Sequence, residues 1–396
     1  MYKPSAEPGA LAGIRVLDFS IAAAGPFGAR LLADLGAEVV KVEAPGGDML
    51  RAAAPRRKGR SPYFGQINCG KKSLCLDLKD KRAHDLVLKL CEKADVVLQN
   101  FRPGVMKRLK LGYHDLRRHN PDLIYCSISG YGQEGPSSHL AAFAPIVHAS
   151  SGYDLAIMSF QKGLDRPLTG ANATADFLAA SFAMGAISAA LLKRERTGKG
   201  EEIDISMTEA MQNIMPYEIQ ELQFKAERLR PDYRPTRAKD SFFLVTPLTG
   251  NNFRDLANAC GHPEWLQKFP LTGPERVRNW ELLLCEVEAW AKDRTAEEAE
   301  RIIREGGCPC ARYSDVWDAM HGPQSEFRES TVEVEDGAGA FIIPASPLRM
   351  NNSHSRPGRY VADLGEHNAE VLQSWLGLSP DETAQLAQSG VLFTSE

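Results

Sequence analysis

Apolar and polar positions along the chain alternate between two periods. GIRVLDFS (residues 13–20) is a short run of β-branched and apolar residues; it gives way to AAAGPFG and then to GARLLADLG, whose apolar residues recur at helical spacing. AEVVKVE (37–43) reads as the next strand. The exchange continues through a helix near 80–93, a strand at ADVVLQN, a helix near 104–118 and a strand at LIYCSISG. Strands separated by helices pair in parallel, so the pattern predicts an α/β domain with a parallel, Rossmann-like sheet covered by helices.

DFLAASFAMGAISAALLKRE (176–195) is the longest helix the pattern predicts. It is apolar on nearly every face, which predicts burial, and Gly198 and Gly200 in RTGKG supply a stop before EEIDISM, another strand. From about residue 208 the pattern changes. TEAMQNIMPYEIQELQFKAERLR is helical, and the Pro- and Arg-rich PDYRPTRAKD leads into a region with its own signals, FFLVTPL, NNFRDLANACG and WELLLCEVEAWAKD. VEVEDGAGAFIIP then reads as short strands and EHNAEVLQSWLG as a final helix. With 396 residues the chain exceeds one compact core. The expected organisation is a large α/β domain begun by 1–215, a linker at 216–238, a small inserted α+β domain at 239–325, a linker at 326–345, and a segment 346–396 returning to the large domain.

Composition narrows the partners. Charged residues make up 25%, hydrophobic ones 43%, and the net charge is -4, so no global basic field draws nucleic acid or an anionic membrane. Any phosphate-bearing ligand needs a local cluster of Lys and Arg. The start of the chain lacks a signal-like apolar run, and no stretch reads as the roughly 18 apolar residues of a membrane span. A cytoplasmic chain with neither nucleic acid nor membrane as partner is expected. The eight cysteines are scattered, and Cys308 and Cys310 stand in CPC, not in the CxxC spacing of zinc or dithiol sites; reduced thiols and no metal site are expected.

The candidate chemistry lies in three places. SIAAAGPFG lacks the full G-x-G-x-x-G, so Gly25 and Gly28 read as allowing tight strand-to-helix packing, and a nicotinamide dehydrogenase is a minor alternative. P-loop, G-x-S-x-G and HExxH signatures are missing. Asp176 stands where a helix begins, a natural N-cap; the same position keeps a carboxylate ionised and available as a nucleophile, and spacing alone does not choose. Asn100 and Phe101 end a parallel strand, with Lys107, Arg108 and Lys110 just beyond and Lys79 in a similar place. These are either a solvated face or a site for a phosphorylated, adenine-bearing ligand. His148 and His367 read as packing or surface residues.

Taken in order, LAGIRVLDFS, AGPFGARLLADLGAEVVKVE, GDMLR, NCGKKSLCLDLK, ADVVLQNFRPGVMKRLKLGY, NPDLIYCSISGYGQEGP, ADFLAASFAMGAISAALLKRERTGKGEEIDISM and LGEHNAEVL resemble the class III CoA-transferase family, also called CaiB/BaiF. The resemblance implies that Asp176 is the catalytic nucleophile. It would form a mixed anhydride with a donor acyl-CoA and then an aspartyl-CoA thioester. Coenzyme A is thereby implied as part of the substrate, with Asn100, Phe101 and Arg108 at CoA-contacting positions, Leu76 and Lys79 lining the adenine and phosphate region, and Ala22 and Ala23 in the loop (Ser20 to Ala24) bordering the thioester. It also implies an interlocked homodimer and, as a family expectation, a succinyl-CoA donor.

Three departures sharpen the comparison. Ala23 replaces the glutamine of members that act on oxalate, and Phe143 and Ala144 replace polar residues, which argues against oxalate. No glycine-rich covering loop is evident, and the usual Gly-Asp is Ala175-Asp176. In the acyl-CoA racemases of the same superfamily a histidine follows the G-Q-x-G-P segment; here Phe143 stands there, with His139 and His148 displaced, so the racemase is the lesser alternative.

Overall fold

Six short strands, β1 (Arg15–Asp18), β2 (Glu38–Glu43), β3 (Lys72–Cys75), β4 (Val96–Gln99), β5 (Ile124–Ser129) and β6 (Glu201–Ser206), form one parallel sheet in the order β3-β2-β1-β4-β5-β6. The computed structural model describes residues 7–161, 163–168, 170–224, 233–272 and 275–395. β4 and β5 are buried at every position because both faces of the sheet are covered. Leu17, Val40 and Val97 face one core, under the helices Lys81–Cys91 and Asn368–Leu376. Val16, Val39 and Val96 face the other, under Ala24–Asp34 and Thr174–Thr197. Successive connections run outward from β1 in one direction and from β4 in the other. The loops after β1 and β4 therefore part at a switch point, where open α/β sheets bind ligands.

The chain divides into two compact units, Met1–Met215 with Pro323–Glu396, and Pro216–Gly322. In the first, the C-terminal segment adds a hairpin, β10 (Thr331–Asp336) with β11 (Gly339–Pro344), and docks at the β3 edge. There the Cys75 N–H donates to Asn368 Oδ1 at 2.8 Å and Leu76 bridges Leu392. The second unit is α+β: a three-stranded antiparallel sheet of β7 (Thr236–Arg237), β8 (Phe242–Val245) and β9 (Cys310–Arg312), with helices packed around Phe243, Trp265 and Trp280.

Several elements differ from expectation. The helix near 104–118 is two short ones, Val105–Arg108 and Tyr113–Leu116, because Lys110 adopts a left-handed φ of 55° between them. The helix after residue 207 is broken into Met207–Asn213 and Pro216–Gln223, where Pro216 has no N–H to continue the ladder. Within the 216–238 linker, residues 225–232 lie outside the described residues.

The long helix departs most. It starts at Thr174 with Ala173 at the N-cap, and it is not buried all round: Phe182 and Leu192 are exposed. By length and composition it is apolar enough to cross a membrane, contrary to the sequence expectation. In the fold, its Ala175, Ala179, Ala183 and Ile187 line the core, packed against Ala24–Asp34, so it covers the sheet. Small residues permit that approach: a Cβ on Gly28 would lie 3.3 Å from the Ala180 carbonyl oxygen. Gly198 ends the helix at φ 66°, as expected for a left-handed C-cap.

Candidate active site

The loop after β1 is held from several sides. Asn100, directly after β4, clamps it across the switch point: Ile21 N–H donates to Asn100 Oδ1 at 2.9 Å, and Asn100 Nδ2 donates back to the Ile21 carbonyl at 2.8 Å. Ala22 is left-handed at φ 60°, a conformation costly for a residue with a Cβ. Its N–H donates to Asp48 Oδ1 at 3.3 Å, and Lys41 bridges the Asp48 carboxylate at 2.9 Å and the Ser20 carbonyl at 2.7 Å. Gly25 is required beside it, since a Cβ there would fall 2.2 Å from that of Ser20.

Below the loop the charges continue. Lys71 Nζ donates to Asp18 Oδ2 at 2.8 Å, Asn68 Oδ1 at 2.8 Å and the Pro26 carbonyl at 2.7 Å. Burial pushes the Asp18 carboxyl up, but Lys71 and Lys41 outweigh it and hold it below its usual range. Burial also pulls Lys71 down to about 8 against the opposing pull of Asp18. The GDMLR and NCGKK segments thus supply a buried ionic frame (Asp48 and Arg51, Asn68 and Lys71), which sequence reading did not assign because its partners lie up to 53 residues apart.

Above this frame opens a cavity of about 290 Å³, and Ala22, Asn100, Phe101 and Asp176 all line it. Ile21, Met49 and Phe143 make the rest of its wall largely apolar. Asp176 and Arg102 are the ionisable residues among those described as lining it. Asp176 is not the N-cap. It is the third residue of its helix, and its carboxylate accepts from the Ala24 N–H at the start of the neighbouring helix. Burial pushes its pKa up to about 6, with the Ala24 N–H opposing, so at neutral pH it is an ionised carboxylate without a paired cation. A wider recess of about 680 Å³ adjoins the same helix start and is lined by Tyr63, Gln66, Asn172 and Phe177.

The remaining predicted residues lie elsewhere. Ala23 is buried at the N-cap of Ala24–Asp34, and Leu76 is fully buried in the core beside β3. Lys79 and Arg108 are exposed, the latter ending the short helix after β4. Arg102, which lines the cavity, was missed, although it directly follows Phe101. His148 was read as packing; it is buried, and it accepts the Ala175 N–H.

The sequence profile described as CoA-transferase family III matches residues 11–368. The chain belongs to CoA-transferase family III. It is 33% identical over 372 residues to an acetyl-CoA:oxalate CoA-transferase of Acetobacter aceti, covering 90% of this chain and 93% of that one. It is 34% identical over 389 residues to a succinyl-CoA:mesaconate CoA-transferase of Haloarcula marismortui, covering 92% and 96%. A crystal structure of a CaiB/BaiF family protein from Brucella suis superposes with a TM-score of 0.80 at 28% identity, over 93% of this chain and all of that one. The protein is therefore a CoA-transferase with an α/β fold, and CoA thioesters and carboxylates are its substrates.

Proposed function

We propose that this transferase moves CoA from an acyl-CoA, with succinyl-CoA the favoured donor, to a carboxylic acid, and that Asp176 carries the transfer covalently. The observation that bears the reading is Asp176 itself: an unpaired carboxylate open to the cavity at the switch point, beside the N-terminus of Ala24–Asp34. An Asp176 oxygen attacks the donor thioester carbonyl; the C–S bond breaks and CoA leaves as thiolate, giving a mixed anhydride. The thiolate attacks the aspartyl carbonyl, and the donor acid departs as its carboxylate. The acceptor carboxylate then displaces the thiolate from the aspartyl thioester. In the last step the thiolate attacks the acyl carbonyl of the second anhydride, and Asp176 is regenerated. No proton is consumed, and thioester-level activation is kept throughout. Oxyanions formed at the aspartyl carbon gain from the Ala24 N–H and the positive helix end.

The apolar wall formed by Ile21, Met49 and Phe143 supports an acid larger and less polar than oxalate. In the racemase reading acid and base must flank the α-carbon; no histidine is among the described residues lining the cavity, which favours transfer. For CoA itself, Asn100 and Phe101 border the thioester end, and Arg102, Arg108 and Lys79 are the cations assigned to its phosphates. A homodimer is also inferred: Phe182 and Leu192 of the long helix are exposed apolar residues that a second subunit would cover. The test is acyl transfer by Asp176→Ala, measured with CoA affinity. Transfer is lost while CoA binding survives; retained turnover would contradict the mechanism.

A further inference from the structure

We propose that His148 is a positioning residue for the nucleophile: its neutral imidazole caps the helix that carries Asp176 and leaves the Asp176 carboxylate free to face the cavity. The inference rests on Asp176 being the nucleophile of the transfer reaction. The first N–H groups of a helix lack intrahelical partners, and the N-cap side chain ordinarily accepts one of them. Here the N-cap is Ala173, which offers no acceptor. Instead the N–H of Ala175, the residue just before Asp176, donates to His148 Nε2 at 3.1 Å. His148 belongs to a separate helix, Ala144–Ser150, that packs against Thr174–Thr197; it is buried, and the Tyr153 ring lies beside it at 5.6 Å between centroids.

The arrangement divides two tasks that one side chain often performs together. An acidic residue at the third helical position commonly folds back to the helix start in a capping box. With the adjacent N–H satisfied from outside, Asp176 accepts instead from Ala24 and opens to the cavity.

Nε2 accepts only when it is unprotonated and the ring proton sits on Nδ1. Protonation would set donor against donor and a cation against the positive end of the helix. Burial lowers the His148 pKa, with Asp154 of the following helix opposing. Also near it are Tyr153 on that same helix and Asp176 beyond the Ala175 N–H; Glu209, on the packed helix Met207–Asn213, is exposed. Acid inactivation then has two causes: protonation of Asp176 removes the nucleophile, and protonation of His148 removes its cap.

Transfer kinetics, thermal melting and the pH dependence of kcat are to be measured on the full chain and on His148→Gln, His148→Leu and Asp176→Ala. A glutamine carbonyl accepts the same N–H and does not titrate. His148→Leu is expected to lower kcat about 10- to 100-fold with KM for the acyl-CoA within about twofold. His148→Gln is expected to recover most of that loss. The acid limb of log kcat is steeper than slope 1 in the wild type over the span in which both groups titrate, and it falls to about 1 throughout in His148→Gln. A glutamine variant as impaired as the leucine one, a leucine variant with wild-type kcat, or an unchanged limb would each overturn the proposal. If the leucine variant does not fold, the change of slope decides alone. Turnover by Asp176→Ala would overturn the transfer mechanism itself, whereas an inactive Asp176→Ala beside indifferent His148 variants would overturn this inference only.

Discussion

Asp18 and Asp176 stand at the same end of the same sheet and are treated in opposite ways. Asp18 is fully buried, ion-paired to Lys71 and accepts from Ser20, and its two lysine neighbours hold it ionised. Asp176 is half-buried, has a single backbone donor, and its pKa rises to about 6. The first carboxylate is saturated with partners and serves as frame. The second is left under-satisfied and is the one open to a substrate. The proposed chemistry falls to the less stabilised carboxylate, because lone pairs already held by an ammonium and by Ser20 are poor nucleophiles.

Substitutions can break that contrast from either side. The largest effect belongs to Asp176→Ala, which lowers kcat for transfer by a factor on the order of 10⁴ or more while CoA binding, read by calorimetry, persists. Next comes the frame: Lys71→Met leaves the Asp18 charge buried without its partner and destabilises the first unit by about 3–5 kcal/mol in denaturant unfolding.

Asp176→Asn should do the reverse and stabilise. A carboxyl whose folded pKa of about 6 lies above its unfolded value of 3.8 contributes stability below pH 3.8 that is lost as pH rises through 6. Removing the charge restores up to about 3 kcal/mol at pH 8, the product of roughly 2.2 pKa units and 1.36 kcal/mol per unit. The difference in melting temperature between wild type and Asp176→Asn therefore shrinks as pH is lowered from 8 to about 4. A variant that is inactive yet no more stable at pH 8 would show that Asp176 carries no burial penalty.

Smaller effects test the loop. Asn100→Ala removes both hydrogen bonds to Ile21 and should reduce kcat/KM about tenfold, at about 1 kcal/mol per bond with partial replacement by water. Lys79→Ala and Arg108→Ala, on exposed cations, should raise KM for acyl-CoA only about 2- to 5-fold, an effect that salt diminishes.

What could be read from the sequence was what is local. The alternation of strand and helix, the parallel sheet and the long helix ending at Gly198 follow from periodicity and stop signals within a few residues. Asp176 and Asn100 could be singled out as candidates because both stand at element ends. The N-cap was misplaced by three residues because Ala173 is a poor one, and the partner that makes it workable, His148, comes from 27 residues away. Lys71 with Asp18 and Asp48 with the Ala22 N–H were invisible for the same reason: each is a contact of the folded chain, 53 and 26 residues apart, made by side chains that read as ordinary surface charges. Leu76 and Arg108 show the opposite limit. Both were carried over from the family as CoA-contacting positions, and neither lines the cavity: Leu76 is buried beside β3 and Arg108 is exposed.

The most direct test of covalent transfer is to incubate the protein with an acyl-CoA donor without acceptor, digest it, and locate CoA by mass spectrometry. A CoA thioester is expected on the peptide that contains Asp176, discharged when acceptor acid is added and missing from Asp176→Ala. Multiple turnover with Asp176 unmodified at every time point would contradict it.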